Sequence, residues 1–178
     1  MEKTSMTITK KITGSAIFAA LAFCASFFEF PIFPAVPFLK LDFSLAIITL
    51  AAFIYGFFPA VLASLVKELL CFAKSSSGGI GELGNFVLSV FFLAIPCVCY
   101  VKKKGLGFVI LYFASSCILY TACALLFNRY ALFPLYGLKN LFFSVWPYIL
   151  GFNLIKTTII SIIVICLYKK VKEIVLKT

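Results

Sequence analysis

The sequence contains no histidine, and only 12% of its 178 residues are charged. Without histidine, neither a Ser-His-Asp nor a Cys-His catalytic set can be assembled. A zinc or iron site completed by imidazole is excluded as well. The chain also lacks the G-x-x-x-x-G-K-[ST] phosphate loop, so it does not hydrolyse ATP by that route. We therefore expect no catalytic residues, no metal and no bound cofactor.

Hydrophobic residues, by contrast, make up 63% of the chain. Soluble domains are about half apolar, and about a quarter of their residues are charged. A helix that crosses the hydrocarbon core needs roughly 20 mostly apolar residues, so this length holds six crossings joined by short loops. The composition predicts an all-α integral membrane bundle of six transmembrane helices, forming one domain over residues 1–178 and surrounded by lipid.

Six apolar segments are bounded by prolines, glycines or charged residues. They predict helices over Lys10 to Phe30, Ser44 to Phe57, Pro59 to Ala73, Glu82 to Tyr100, Leu106 to Phe127 and Trp146 to Tyr168. Pro31, Pro34 and Pro37 cannot continue the first helix, so an irregular loop is expected from Pro31 to Phe43.

The formal charge of +10 could suggest nucleic acid as a partner, but the basic residues lie at the ends of the apolar segments. With six crossings, one side of the membrane receives Lys3, Lys10, Lys11, Lys102, Lys103, Lys104, Lys169, Lys170, Lys172 and Lys177. The other side receives only Lys40, Lys74, Arg129 and Lys139. This asymmetry is the positive-inside pattern, so we expect both termini in the cytoplasm and no nucleic-acid partner.

Seven cysteines could indicate disulfides or a metal site, yet all of them lie in apolar segments: Cys24, Cys71, Cys97, Cys99, Cys117, Cys123 and Cys166. Free cysteine packs as a small hydrophobic residue. We interpret these residues as packing residues.

Polar side chains at membrane depth are the most informative residues, because each ionised group near the bilayer centre costs about 2.5 to 3.5 kcal/mol. Lys156 lies ten residues beyond Trp146, which is about 15 Å along a helix and near mid-membrane. It must contact a ligand or pair with an acid, for instance Glu82 or Glu68. Several other polar residues lie near the predicted outer loops and indicate a pocket that opens outward: Glu29, Asp42, Glu82, Asn85 and Asn128.

Two further features leave alternatives open. Lys67 and Glu68 are adjacent on a helix, so we expect them to point in different directions. Each could satisfy other groups or have a functional role, and Lys67 could also reach toward the interface. Ala16 and Ala20 form a small face at one-turn spacing on the first helix. Such a face suits either a docking partner or packing inside the bundle.

Three stretches resemble a known family. The loop Phe30-Pro-Ile-Phe-Pro-Ala-Val-Pro-Phe-Leu-Lys-Leu-Asp-Phe-Ser44 is similar to the first outer loop of the riboflavin-specific substrate-binding subunit of energy-coupling-factor (ECF) transporters. Gly78-Gly-Ile-Gly-Glu-Leu-Gly-Asn-Phe86 resembles the start of helix 4 in that family, and Phe152-Asn-Leu-Ile-Lys156 resembles its helix 6 motif. The sequence departs from the family at Leu45, where a second acid usually follows Asp-Phe-Ser.

The resemblance implies a subunit of the bacterial cell membrane that captures riboflavin from outside and performs no chemistry on it. It implies as partners a transmembrane coupling protein, docked at Ala16 and Ala20, and two cytoplasmic ATPases. The lid over the pocket would be Phe38 to Asp42. Residues expected at the ligand are Lys156, Asn128, Asn85, Glu82, Asn153, Phe38, Leu39, Lys40 and Asp42.

Two alternatives remain open at this point. The chain could bind FMN or another vitamin, because Arg129, Lys139 and Lys40 could supply a cationic site for a phosphate at the pocket mouth. It could also be a small membrane enzyme that uses Asp42, Glu82 or Lys156.

Overall fold

The computed structural model describes residues 7–75, 77–100 and 106–177. In these ranges the chain is mostly helical, as predicted, and six helices have 12 residues or more. They are α1 (Ile8–Ala25), α2 (Ser44–Tyr55), α3 (Phe57–Phe72), α4 (Ile80–Tyr100), α5 (Leu106–Phe127) and α6 (Phe142–Lys177). Lys3 and Lys102 to Lys104, which the charge argument used, lie outside the described residues.

The connecting segment, residues 26–43, joins α1 to α2 and differs from the prediction at its start. Helix α1 ends at Ala25 and not at Phe30, so it stops six residues before the first proline, Pro31. Ser26 caps it: its backbone N–H donates to the carbonyl of Ala22. The Lys74 ammonium then donates to the Ser26 carbonyl at 2.8 Å, which ties the helix end to the end of α3.

The connecting segment is also more regular than the prolines suggested. A strand at Phe30–Pro31 pairs antiparallel with a strand at Lys40–Leu41, so the segment folds back on itself as a short ladder. The turns between the strands bring Val36 into a hydrophobic cluster with Phe133, Phe142, Val145 and Ile149. The segment therefore rests on the beginning of α6.

A single residue, Gly56, joins α2 to α3. Its backbone has φ +100° and ψ 176°, a conformation open essentially only to glycine. Helix α2 packs against α1, α3, α4 and α6 and is the most enclosed helix of the bundle, with nine buried residues among its 12. Its central place explains why a helix of this length carries so few exposed side chains.

Helix α5 does not stop at Phe127. The chain continues through a π-helical stretch, Asn128–Leu132, and one further helical turn, Phe133–Leu135, where the sequence predicted a loop. Helix α6 begins at Phe142, four residues before the predicted Trp146. Both differences lengthen the helices at the end of the bundle that carries the connecting segment.

Four helical stretches in the described part of the chain are long and apolar enough to cross a membrane: Ile8–Ala25, Ile80–Cys99, Gly107–Leu135 and Lys139–Leu167. Helices α2 and α3 are shorter. Large apolar side chains such as Phe58, Leu62 and Ile118 are more than half exposed on the outside of the bundle. A surface of this kind is expected where lipid, and not water, surrounds the protein.

Candidate functional site

A small cavity lies inside the bundle, next to the point where the connecting segment enters α2. Its volume is about 20 Å³. Its walls come from the end of the connecting segment and from α2, α3, α4, α5 and α6, and the lining residues are Asp42, Ser44, Leu45, Ile48, Ser64, Lys67, Glu68, Asn85, Ser89, Tyr120 and Lys156. Charged and polar groups therefore surround this cavity.

One wall holds an ion pair between Lys156 of α6 and Asp42 of the connecting segment. The Lys156 Nζ lies 3.6 Å from Asp42 Oδ2, and both side chains are buried. The partner of Lys156 is therefore Asp42, and the expectation of Glu82 or Glu68 was wrong. The other carboxylate oxygen, Asp42 Oδ1, accepts a hydrogen bond of 2.7 Å from the backbone N–H of Ser44. Asp42 thus also sits at the start of α2, where the helix dipole favours a negative charge.

A second buried pair also lines the cavity, and both of its members come from α3. Lys67 Nζ donates to Glu68 Oε1 at 2.8 Å, and each side chain is less than a tenth exposed. The expectation that these neighbours point apart was therefore wrong, and Lys67 is buried instead of reaching toward the interface. The long lysine side chain folds back along the helix, because the bundle interior offers its ammonium a charged acceptor.

Hydroxyl groups complete the lining, and the sequence analysis missed them. Ser64 of α3 and Ser89 of α4 share a hydrogen bond of 2.7 Å between their hydroxyl oxygens. Tyr120 of α5 is buried beside them. A signal was present: Ser64 precedes Glu68, and Asn85 precedes Ser89, by four residues. That spacing puts polar groups on one face of each helix.

Three predicted ligand residues have other contacts here and do not line the cavity. Glu82 accepts hydrogen bonds of 2.9 Å from the hydroxyls of Ser75 and Ser77, and so stabilises the loop before α4. The amides of Asn128 and Asn153 each donate at 2.7 Å to the carbonyl four residues earlier in their own helix. Among the predicted residues, Lys156, Asp42 and Asn85 do line the cavity.

The remaining predicted residues lie in the connecting segment. Phe38 is 54% exposed and packs edge-on against Phe133. Leu39 packs on the cluster beneath the segment. Lys40 pairs with Glu29 at 2.7 Å on the surface.

The small face of α1 is split between two surfaces. Ala16 and Ala20 are exposed on the outside of the bundle, whereas Ala19 and Ala22 are buried against α2 and α3. The two predicted docking residues therefore do not serve internal packing.

The charges around the cavity cancel. Two ammonium groups, Lys67 and Lys156, face two carboxyl groups, Asp42 and Glu68. Buried charges of this kind are stable only when paired, because taking a single ion out of water is very costly. No group of three or more histidine, cysteine, aspartate or glutamate side chains in the described ranges could hold a metal ion. The arrangement suits a neutral guest with several hydrogen-bonding groups.

Comparison with known proteins gives consistent matches along most of the chain. The family model for the substrate-specific component of ECF transporters matches residues 10–168. A riboflavin transporter RibU from Staphylococcus aureus (strain TCH60) is 31% identical over 176 residues, covering 94% of this chain and 93% of the relative. A riboflavin transporter FmnP from Bacillus subtilis (strain 168) is 29% identical over 183 residues, covering 92% of each chain.

The fold agrees with these matches. A solved structure of the S component of a bacterial ECF transporter superposes with a TM-score of 0.83 at 32% identity, covering 94% of this chain and 98% of that one. The relatives are named as transporters, and four apolar helices are long enough to cross a bilayer. The protein is thus a multi-pass protein of the bacterial cell membrane, and the chain belongs to the family of substrate-specific components of ECF transporters.

Proposed function

We propose that this chain captures riboflavin at the outer face of the membrane for uptake driven by partner subunits. The observation that carries the proposal is the charge-balanced polar cavity enclosed by apolar helices. Four ionised groups at such a depth must be offset by a function or by their mutual pairing. The relatives named as riboflavin transporters indicate which guest the cavity takes.

The proposal includes six membrane crossings with both termini in the cytoplasm. Helices α2 and α3 would be the two short crossings, with Gly56 between them on the cytoplasmic side. Helix α2 is enclosed by its neighbours, so it does not need the full length of a lipid-facing helix. The excess of lysines at the predicted inner ends supports this orientation.

Riboflavin requires the cavity to widen. A volume of about 20 Å³ holds one water molecule, whereas small-molecule pockets are typically about 300 to 1,000 Å³. We propose that the lid, Phe38 to Asp42, lifts to admit the ligand and that Lys156 and Asn85 contact it. Residues proposed to reach the ligand in the widened site are Glu82, Asn128, Asn153, Phe38, Leu39 and Lys40.

The proposed partners are a transmembrane coupling protein and two cytoplasmic ATPases, as in the family. The exposed pair Ala16 and Ala20 would be the docking face for the coupling protein, because small residues let helix backbones approach closely in lipid.

Quenching of flavin fluorescence on titration of the purified protein tests the ligand. Riboflavin, FMN and thiamine are compared in parallel, and we expect tight binding of riboflavin alone. The balanced charges of the cavity wall give no excess cation for the FMN phosphate, and the Lys40 ammonium already pairs with Glu29. Tighter binding of FMN than of riboflavin would identify FMN as the ligand. Absence of quenching by either flavin would refute the proposal that the chain binds a flavin.

A further inference from the structure

The two carboxylate oxygens of Glu68 have different surroundings. Oε1 accepts the hydrogen bond from Lys67, whereas Oε2 is buried and has no hydrogen-bond partner among the residues that the structure describes. The side chain is only 8% exposed, so bulk solvent does not reach this oxygen. A buried acceptor without a donor is unfavourable, and such groups are rare in native proteins, so this oxygen calls for an explanation.

The neighbouring polar groups do not supply the missing donor. Ser64 and Ser89 bond to each other, and Ser89 also donates to the carbonyl of Phe86. Lys156 is engaged with Asp42. An ionised carboxylate can accept up to about four hydrogen bonds, so Glu68 retains capacity on the cavity side of the helix.

We infer that Glu68 is a specificity-determining residue of the site, whose Oε2 accepts a hydrogen bond from an N–H or O–H group of the bound ligand. Lys67 holds the carboxylate in place through its hydrogen bond to Oε1. The site then selects ligands that carry a hydrogen-bond donor for Glu68, in addition to the group that contacts Lys156. This inference rests on the proposed function, since riboflavin offers an imide N–H and ribityl hydroxyls.

Binding titrations of the full-length protein with three flavins test the inference. The variant is Glu68→Gln, which keeps the shape but removes the charge, and the ligands are riboflavin, N3-methylriboflavin and lumiflavin. N3-methylriboflavin lacks the imide donor, and lumiflavin lacks the hydroxyls. Loss of a charge-assisted bond predicts riboflavin binding weakened about 10-fold. The penalty should shrink below about threefold for the analogue that lacks the donor in question.

Glu173→Gln is the matched control, because it makes the same carboxylate-to-amide change near the C-terminal end of α6, 17 residues beyond Lys156 and outside the set of residues that line the cavity. Any effect of this variant should be small and equal for the three flavins. If Glu68→Gln does not fold, Glu68→Asp is titrated in the same way, because the shorter side chain withdraws the oxygen and keeps the charge.

The outcomes separate the two proposals. A penalty that is equal for all three flavins, or no penalty at all, would overturn the inference and make Glu68 a structural partner of Lys67. Wild-type protein that binds none of the flavins would instead refute the proposed function itself.

Discussion

The two halves of the helix bundle are built from the same helices but differ in what they bury. In the cavity half, near the connecting segment, α5 and α6 place Tyr120 and Lys156 toward charged neighbours. In the distal half, the same two helices contribute Phe113 and Val164 to a hydrophobic cluster, which reaches the cavity at Leu45 and Tyr120. The comparison separates two roles of burial within one fold.

Energetics explain the difference. Apolar packing stabilises the distal half through many small dispersion contacts, which exist in lipid as well as in water. In the cavity half, charged groups replace some of this packing. Their net contribution to the free energy of unfolding is at best about equal to that of apolar residues of the same size. Substitutions in the cavity half should therefore change binding, and substitutions in the distal half should change stability.

The largest effect is expected at Lys156. Replacing one member of a buried ion pair leaves the other charge uncompensated, at a cost of about 3 to 5 kcal/mol. Lys156→Met should therefore lower the melting temperature. It also removes a proposed ligand contact, so we expect riboflavin binding to weaken at least 100-fold, which equals about 2.7 kcal/mol of binding free energy. Thermal unfolding in detergent and flavin titration measure the two effects.

The double variant Lys156→Met with Asp42→Asn is the decisive control. Removing both charges should restore most of the stability, because no unpaired ion is left. It should not restore binding. Recovery of both properties together would mean that the pair is structural and that the cavity half does not differ in role from the distal half.

In the distal half, Phe113→Ala should lower the stability and leave riboflavin binding nearly unchanged. Phe113 is 1% exposed and packs against Phe53 and Phe92, with ring centroids 5.8 and 5.9 Å away. Loss of a buried phenylalanine costs about 3 to 5 kcal/mol. We expect a clear fall in melting temperature, while the affinity of the folded fraction for riboflavin stays within about threefold, equivalent to less than 1 kcal/mol. A large loss of affinity at unchanged stability would contradict the division.

A smaller effect is expected at the α2–α3 connection. Gly56→Ala places a side chain on a backbone with φ +100°, although no atom lies within 4 Å of the new Cβ. Backbone strain of this kind costs about 1 to 3 kcal/mol. The melting temperature should fall moderately and the affinity should not change. Unchanged stability would show that the short connection relaxes without strain.

The smallest effect is expected for the surface pair of Glu29 and Lys40. Both side chains are about two-fifths exposed. Exposed ion pairs contribute about 0 to 1 kcal/mol to stability. We expect a value in this range although the Lys40–Glu29 distance of 2.7 Å is shorter than the 3.6 Å of the buried Lys156–Asp42 pair. Glu29→Gln should hardly move the melting temperature. A fall in melting temperature as large as that of Lys156→Met would show that distance, and not burial, determines how much these ion pairs stabilise the protein.

The sequence predicted the helical segments well, because hydrophobic runs bounded by charges and prolines carry that information locally. The ends were less predictable. Helix α1 stops at Ala25, where Ser26 caps it and Lys74, two residues beyond the end of α3, donates to the Ser26 carbonyl. The second contact is distant in sequence. The extension of α5 beyond Phe127 likewise follows no local signal in the sequence.

For the site, the residue types could be read from the sequence but their pairing could not. Charges at membrane depth identified Lys156 and Asp42, which the structure brings together. Their partnership depends on how the connecting segment folds back toward α6, a long-range property. The pairing of Lys67 with Glu68 was missed because neighbours on a helix leave it in different directions unless a long side chain bends back.

The central claim is that a guest enters the cavity half from outside, beneath the connecting segment. The most direct test introduces a thiol by Ala35→Cys, at an exposed position of that segment, and follows its reaction with a membrane-impermeant maleimide on intact cells. The unsubstituted chain, with its native cysteines, gives the background. We expect labelling from outside, slowed by saturating riboflavin. Labelling only after the cells are permeabilised, or a rate that riboflavin does not change, would contradict the account.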